Sequence, residues 1–233
     1  MIEVRPNAGL GAFRNDWLNT RHHFSFADYH DPARMGFGRL RVWNDDEIAA
    51  GTGFDPHPHR DMEIVTYVRK GAITHRDSLG NEGRTEAGDV QVMHAGTGIV
   101  HAEHNLEPGP TTLFQIWIMP DRRGVAPGWG TRQFPKVGGG LAVLASGRKQ
   151  DAGGDALPLY ADAAVLAGTL GKGETVRVPV TPGRGVYLVP ASGAVSVNGV
   201  AVGTRDGAAV TGETELAITA TEDAEVVLVD VAA

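Results

Sequence analysis

The chain sets short apolar runs between glycine, proline and aspartate punctuation. It almost nowhere shows the three-to-four-residue apolar spacing of an amphipathic helix. Runs rich in β-branched and aromatic residues at 64–68, 90–93 and 113–118 predict strands, with turns at Gly71, 79–83 and Gly88-Asp89. Residues 36–43 read as a further strand, and Asn44-Asp45-Asp46-Glu47 as a turn into a short helical or loop segment before Gly51. His23-Phe24-Ser25-Phe26-Ala27-Asp28-Tyr29 reads as an edge strand whose two phenylalanines pack on the core. The pattern loosens from 121 to 140, where Pro127-Gly128-Trp129-Gly130 and three consecutive glycines predict a connection rather than core. Beyond it, strands are expected at 141–145, 163–170, 175–180, 185–190, 194–197 and 224–231, with a mobile loop at 147–154. The expected fold class is all-β, a sandwich or barrel, divided into units of 1–130 and 131–233.

Composition narrows the functional classes. The formal charge of −7 argues against nucleic acid or an anionic membrane as the main partner. With no cysteine in the chain, disulfides and thiolate metal sites are excluded. Residues 1–13 lack the apolar core of a signal peptide, and no apolar run approaches the roughly 18–20 residues that span a bilayer. A cytoplasmic protein is expected.

The chemistry concentrates between Gly51 and Asn105. Side chains two apart on a strand project from the same face, so His57 and His59 share one face and His101 and Glu103 share another. If those strands lie opposite each other, three imidazoles and a carboxylate converge on a metal site with open positions. The same parity also admits Glu63 as the carboxylate. His22, His23 and His30 have no ligand-spaced partner, and His75, His94 and His104 read as structural or pocket-lining. No histidine follows His104, which places the chemistry in the first half. Nitrogen and oxygen donors without sulfur suit Fe(II), Mn(II), Ni(II), Cu(II) or Zn(II).

The glycine, His57-x-His59, Glu63 and Gly71 series, then Gly88, His101 and Asn105, resembles the paired motifs of the cupin superfamily with slightly longer spacings. A tighter likeness covers most of the first 120 residues. His57-Pro58-His59-Arg60-x-x-Glu63, Gly88-Asp89-Val90-Gln91-Val92-Met93-x-Ala95-Gly96-x-Gly98-Ile99-Val100-His101-x-Glu103 and the 23–29 segment resemble the pirin family, above all its short bacterial members. The resemblance implies a bicupin: two tandem jelly-roll β-barrels, the first binding metal and the second lacking ligands. It implies His57, His59, His101 and Glu103 as ligands, Glu63 orienting one of the imidazoles, and iron as the metal. It further implies quercetin 2,3-dioxygenase activity, in which a flavonol-like substrate is opened by O2 with loss of carbon monoxide and Glu103 acts as general base. Phe54, Met93, Phe114, Ile116 and Trp117 are the expected apolar pocket residues. The alternative implied by eukaryotic pirins is a non-catalytic metal- or redox-sensing regulator that binds protein partners.

Overall fold

The computed structural model describes residues 1–134 and 138–232. Residues 135–137 of the expected connection, and the last residue, lie outside the described residues. Strand makes up 58% of the chain. The layers run four-stranded sheet, seven-stranded sheet, seven-stranded sheet, four-stranded sheet.

Alternation along the strands explains that stacking. In Glu63–Lys70, Val65 and Tyr67 face the other seven-stranded sheet, while Ile64, Thr66 and Val68 face inward to their own barrel. In Thr111–Ile118, Phe114, Ile116 and Ile118 take the outer face and Leu113, Gln115 and Trp117 the inner one. The outer faces meet Val165, Tyr187, Val189, Val227 and Val229 in a continuous core between the two halves. Phe114 and Ile116 therefore belong to that core and not to the pocket expected of them.

The two barrel interiors differ in kind. The C-terminal one is packed with aliphatic residues such as Leu166, Val186, Leu188, Leu216, Ile218 and Leu228. The N-terminal one carries a polar row straight across its large sheet: His22, Asn44, Gln115, Thr66, Gln91 and Thr131 are successive register partners on six strands. Buried polar groups are costly unless paired. These are bonded along the row, His22 to Asn44 at 2.9 Å, Thr66 to Gln115 at 3.0 Å and Gln91 to Thr66 at 3.3 Å.

Several expectations change. Residues 44–47 are not a turn but the second half of the strand Leu40–Ile48. Asp45 is tolerated there because Arg69 and Arg205 both bind its carboxylate, and Asp46 and Asn44 because they face the pocket. The strand near the 23–29 segment is Leu18–His22. Phe24 is fully buried beyond it, and the chain turns at Phe26–Tyr29 with Ala27 at φ 48°. Gly128–Arg132 is a strand within the supposed connection, pairing with Val90–His94. The 147–154 loop is pinned, since Arg148 bridges Asp151 at 2.7 Å and Asp230 at 2.6 Å. Ile2–Arg5, within the expected 1–130 unit, pairs with Gly207–Thr211 in the second half's sheet.

Candidate metal centre

The strand Thr52–His59 lies antiparallel to Ile99–Asn105, with His57 directly opposite His101. The register slips between His101 and Glu103, so that Glu103 stands opposite Phe54. Asp55 and Pro56 form the bulge, and proline contributes no ladder N–H to lose. On the other side of Ile99–Asn105 lies Ala72–Asp77, which sets Asp77 opposite His101 and His75 opposite Glu103. One sheet face thus carries His57, His59, His101, Glu103, His75 and Asp77.

His57, His59 and His101 offer ligand nitrogens within 4.8 Å of one another. Their rings sit 4.5 to 5.0 Å apart, centroid to centroid. Burial pushes the His59 imidazole down to about 4, and the neighbouring His101 and His57 charges push the same way. Burial also takes His101 down to about 3, helped by His57 and His75. Both rings are neutral at physiological pH, the form that ligates metal. His57 Nδ1 lies 2.7 Å from the Asp55 carbonyl oxygen, which can only accept. That nitrogen therefore carries the proton and Nε2 keeps a lone pair. His101 is 3% exposed, and its Nε2 has no hydrogen-bond partner. An unpaired buried nitrogen beside two further imidazoles fits a divalent metal ion.

Glu103 belongs to a second group, with His75 and His101, whose donors also lie within 4.8 Å of one another. Its carboxylate rests on the middle of the polar row. Oε1 accepts from Gln91 Nε2 at 2.5 Å and Thr66 Oγ1 at 3.2 Å, and Oε2 accepts from Gln115 Nε2 at 2.7 Å. Glu63 does not reach the imidazole cluster. Its Oε2 is bonded to His94 Nδ1 at 2.6 Å and to the backbone N–H of Tyr160 at 3.0 Å, tying the two halves together. His104 lies by Asp55. The amides of Gln91 and Gln115 carry no ligand spacing in the sequence. The available signal was a polar side chain inside an otherwise apolar strand run.

The imidazoles open onto a pocket of about 470 Å³ walled by Trp17, Phe26, Phe54 and Trp117, with Asp46 and Gln115 deeper in. Trp117 packs edge-on to His59 at 4.9 Å, and Phe26 edge-on to Trp117 at 5.4 Å. Phe54 and Trp117 fulfil the pocket expectation, whereas Met93 is buried with Ile64 and Ala95 beside the site.

A pirin family model matches residues 3–118, and a model for the quercetinase C-terminal cupin domain matches residues 143–231. The chain belongs to the pirin family. A Pseudomonas aeruginosa protein provisionally named quercetin 2,3-dioxygenase is 62% identical over all of both chains. The Escherichia coli K12 protein named quercetin 2,3-dioxygenase is 42% identical, over 99% of this chain and 98% of its own. The crystal structure of the bacterial pirin YhhW from E. coli, in complex with nickel(II), superposes with a TM-score of 0.92 at 41% identity, covering 100% of this chain and 99% of that one. This pirin therefore shares a bicupin architecture with a relative solved in complex with nickel(II). Among the described residues no helix is long and apolar enough to cross a membrane.

Proposed function

We propose that this pirin is a metal-dependent dioxygenase that opens the central ring of flavonol-like substrates with O2 and releases carbon monoxide. The observation that carries the reading is three imidazoles at the floor of an open, aromatic-walled pocket large enough for a flat polyphenol. His57, His59 and His101 would hold the ion, with Glu103 adjoining through His101 as the carboxylate of the set. The donor chemistry admits iron, manganese, nickel, copper or zinc, and family likeness favours Fe(II).

When bound, such an ion supplies Lewis acidity to an enolic or phenolic hydroxyl and a meeting point for O2. The protein does the rest. Trp17, Phe26, Phe54 and Trp117 sandwich the ring system and exclude water. Glu103 Oε2 accepts from Gln115 Nε2 at 2.7 Å, which leaves it a lone pair to take the hydroxyl proton. Gln91 and Gln115 keep that carboxylate aimed. An open pocket that admits an aromatic ligand supports catalysis over the regulator reading, which needs no such access.

The test is anaerobic loading with each of the five ions, followed by assays of quercetin loss, oxygen uptake and carbon monoxide. Stoichiometric carbon monoxide, abolished by His101→Ala and cut at least a hundredfold by Glu103→Gln, is the expected result. Tight metal binding with no turnover by any ion would instead favour the regulator.

A further inference from the structure

Beside the ligand cluster, on the side away from the pocket, His75 and Asp77 form a buried dyad that the proposed chemistry does not use. His75 is fully buried and its Nε2 lies 3.0 Å from Asp77 Oδ2. Its Nδ1 lies 3.4 Å from His101 Nδ1. Trp129 stacks on the ring at 4.8 Å with the planes 6° apart, and donates its own N–H to Gln91 Oε1, so the imidazole cannot swivel.

Proton inventory fixes the chain of bonds. Asp77 Oδ1 accepts the backbone N–H groups of Leu79 and Asn81 at 2.9 and 3.0 Å, and Oδ2 accepts the Asn81 side-chain amide at 2.9 Å. Asp77 is therefore a carboxylate and only accepts. His75 must donate through Nε2–H, and in the neutral ring that leaves its Nδ1 a lone pair. His101 must then donate through Nδ1–H, which leaves its Nε2 a lone pair. That nitrogen is the buried, unpartnered one.

We propose that Asp77 and His75 are positioning residues whose relay locks His101 in the Nδ1–H tautomer, presenting Nε2 to a divalent metal with no tautomer shift on binding. His75 is thereby a partner of a ligand and not a ligand, although it also lies within reach of His101 and Glu103 in the second donor group. The inference rests on the metal-centre reading but not on the flavonol substrate. Carboxylates behind ligating imidazoles typically account for a 10–100-fold effect on metal affinity.

Asp77→Asn is the discriminating variant. Oδ1 accepts the backbone N–H groups of Leu79 and Asn81, so the new amide must keep its oxygen there to preserve the turn. Its NH₂ then replaces Oδ2, the atom that accepts from Asn81 Nδ2 and faces His75 Nε2. The Asn81 amide must turn its oxygen toward the new NH₂, which toward His75 can only donate. The relay inverts: His75 becomes Nδ1–H, and His101 is driven to Nε2–H, the wrong form for the metal.

The experiment is imidazole ¹⁵N NMR on the metal-free full chain, followed by Zn(II) titration of the wild type, Asp77→Asn and His75→Ala. Expected are Nε2–H at His75 and Nδ1–H at His101 in the wild type, and inverted tautomers in Asp77→Asn. A mixed His101 population is expected in His75→Ala, with zinc affinity about 10–100-fold weaker in both variants at unchanged one-to-one stoichiometry. Zinc coordinated through His101 Nδ1, unaltered affinity in both variants, or loss of zinc stoichiometry in His75→Ala would overturn the relay. A wild type that binds no zinc sinks the metal-centre reading and this one together. Normal zinc binding with His101 protonated on Nε2 sinks this one alone.

Discussion

Two buried titratable groups give opposite pH signatures. Asp46 is 2% exposed on the pocket wall, and burial pushes its carboxyl up to about 7. Repulsion from Asp45 and Glu103 adds to this, against the Thr20 hydroxyl and Arg69. Between the ordinary carboxylate range and about 7 the folded state holds a proton that the unfolded state has released, so stability falls as pH rises through that window. Asp46→Asn should melt with the wild type at pH 4 and several degrees above it at pH 8; identical melting at pH 8 refutes the assignment. His23 runs the other way. Burial, with Arg5, Arg205 and Arg34 nearby, takes it down to about 3, so stability is lost as pH falls below about 6.5. His23→Gln should blunt the acid-side fall of the melting temperature, and an unchanged slope between pH 6.5 and 4 would count against it. His57, His59 and His101 were legible in sequence because strand parity is local. The Gln91 and Gln115 hold on Glu103 was not, since it depends on register between strands far apart in the chain.

The strand pair that carries the imidazoles depends on close backbone approach. A Cβ on Gly53 would fall 2.2 Å from the Glu103 carbonyl oxygen and 2.6 Å from the His104 Cα, and backbone cannot yield as a side-chain end can. Gly53→Ala should therefore part Thr52–His59 from Ile99–Asn105. The expected results are a cost of about 1–3 kcal/mol in denaturant unfolding and at least tenfold weaker zinc binding with the strand content kept. Wild-type affinity would show that the ligand geometry does not rest on this contact. Elements with near-continuous apolar, β-branched runs, such as Glu63–Lys70 and Ala224–Ala232, could be read directly. Asn44-Asp45-Asp46-Glu47 could not, because four polar residues in succession resemble a turn until Arg69, Arg205 and the pocket are known to receive them. Gly207–Thr211 and Val200–Val202 are illegible in the sequence for a different reason: short, small or interrupted runs carry little periodicity.

The two halves are joined by charges as well as by apolar packing. Asp45, 1% exposed, receives Arg69 from its own sheet and Arg205 from the other half, while Tyr67 donates to Glu225 across the same boundary. Removing the carboxylate leaves a buried Arg69 unpaired, so Asp45→Ala should cost about 3–5 kcal/mol. A single cooperative calorimetric transition, lowered by roughly 10 °C, is the expected outcome. Two separated transitions would mean that the halves unfold independently. The filled C-terminal barrel, without histidine, then acts as the wall against which the polar, open N-terminal barrel is braced.

The pairing of Ile2 with Val210 sets a condition on how the molecule is made. Ile2–Arg5 hydrogen-bonds to residues that leave the ribosome roughly two hundred positions after it. Until they emerge it is an unsatisfied sheet segment, and the second sheet lacks its edge. Nascent chains arrested shortly before residue 207 should consequently stay protease-sensitive at Ile2–Arg5, although His57, His59, His101 and Glu103 have by then been translated.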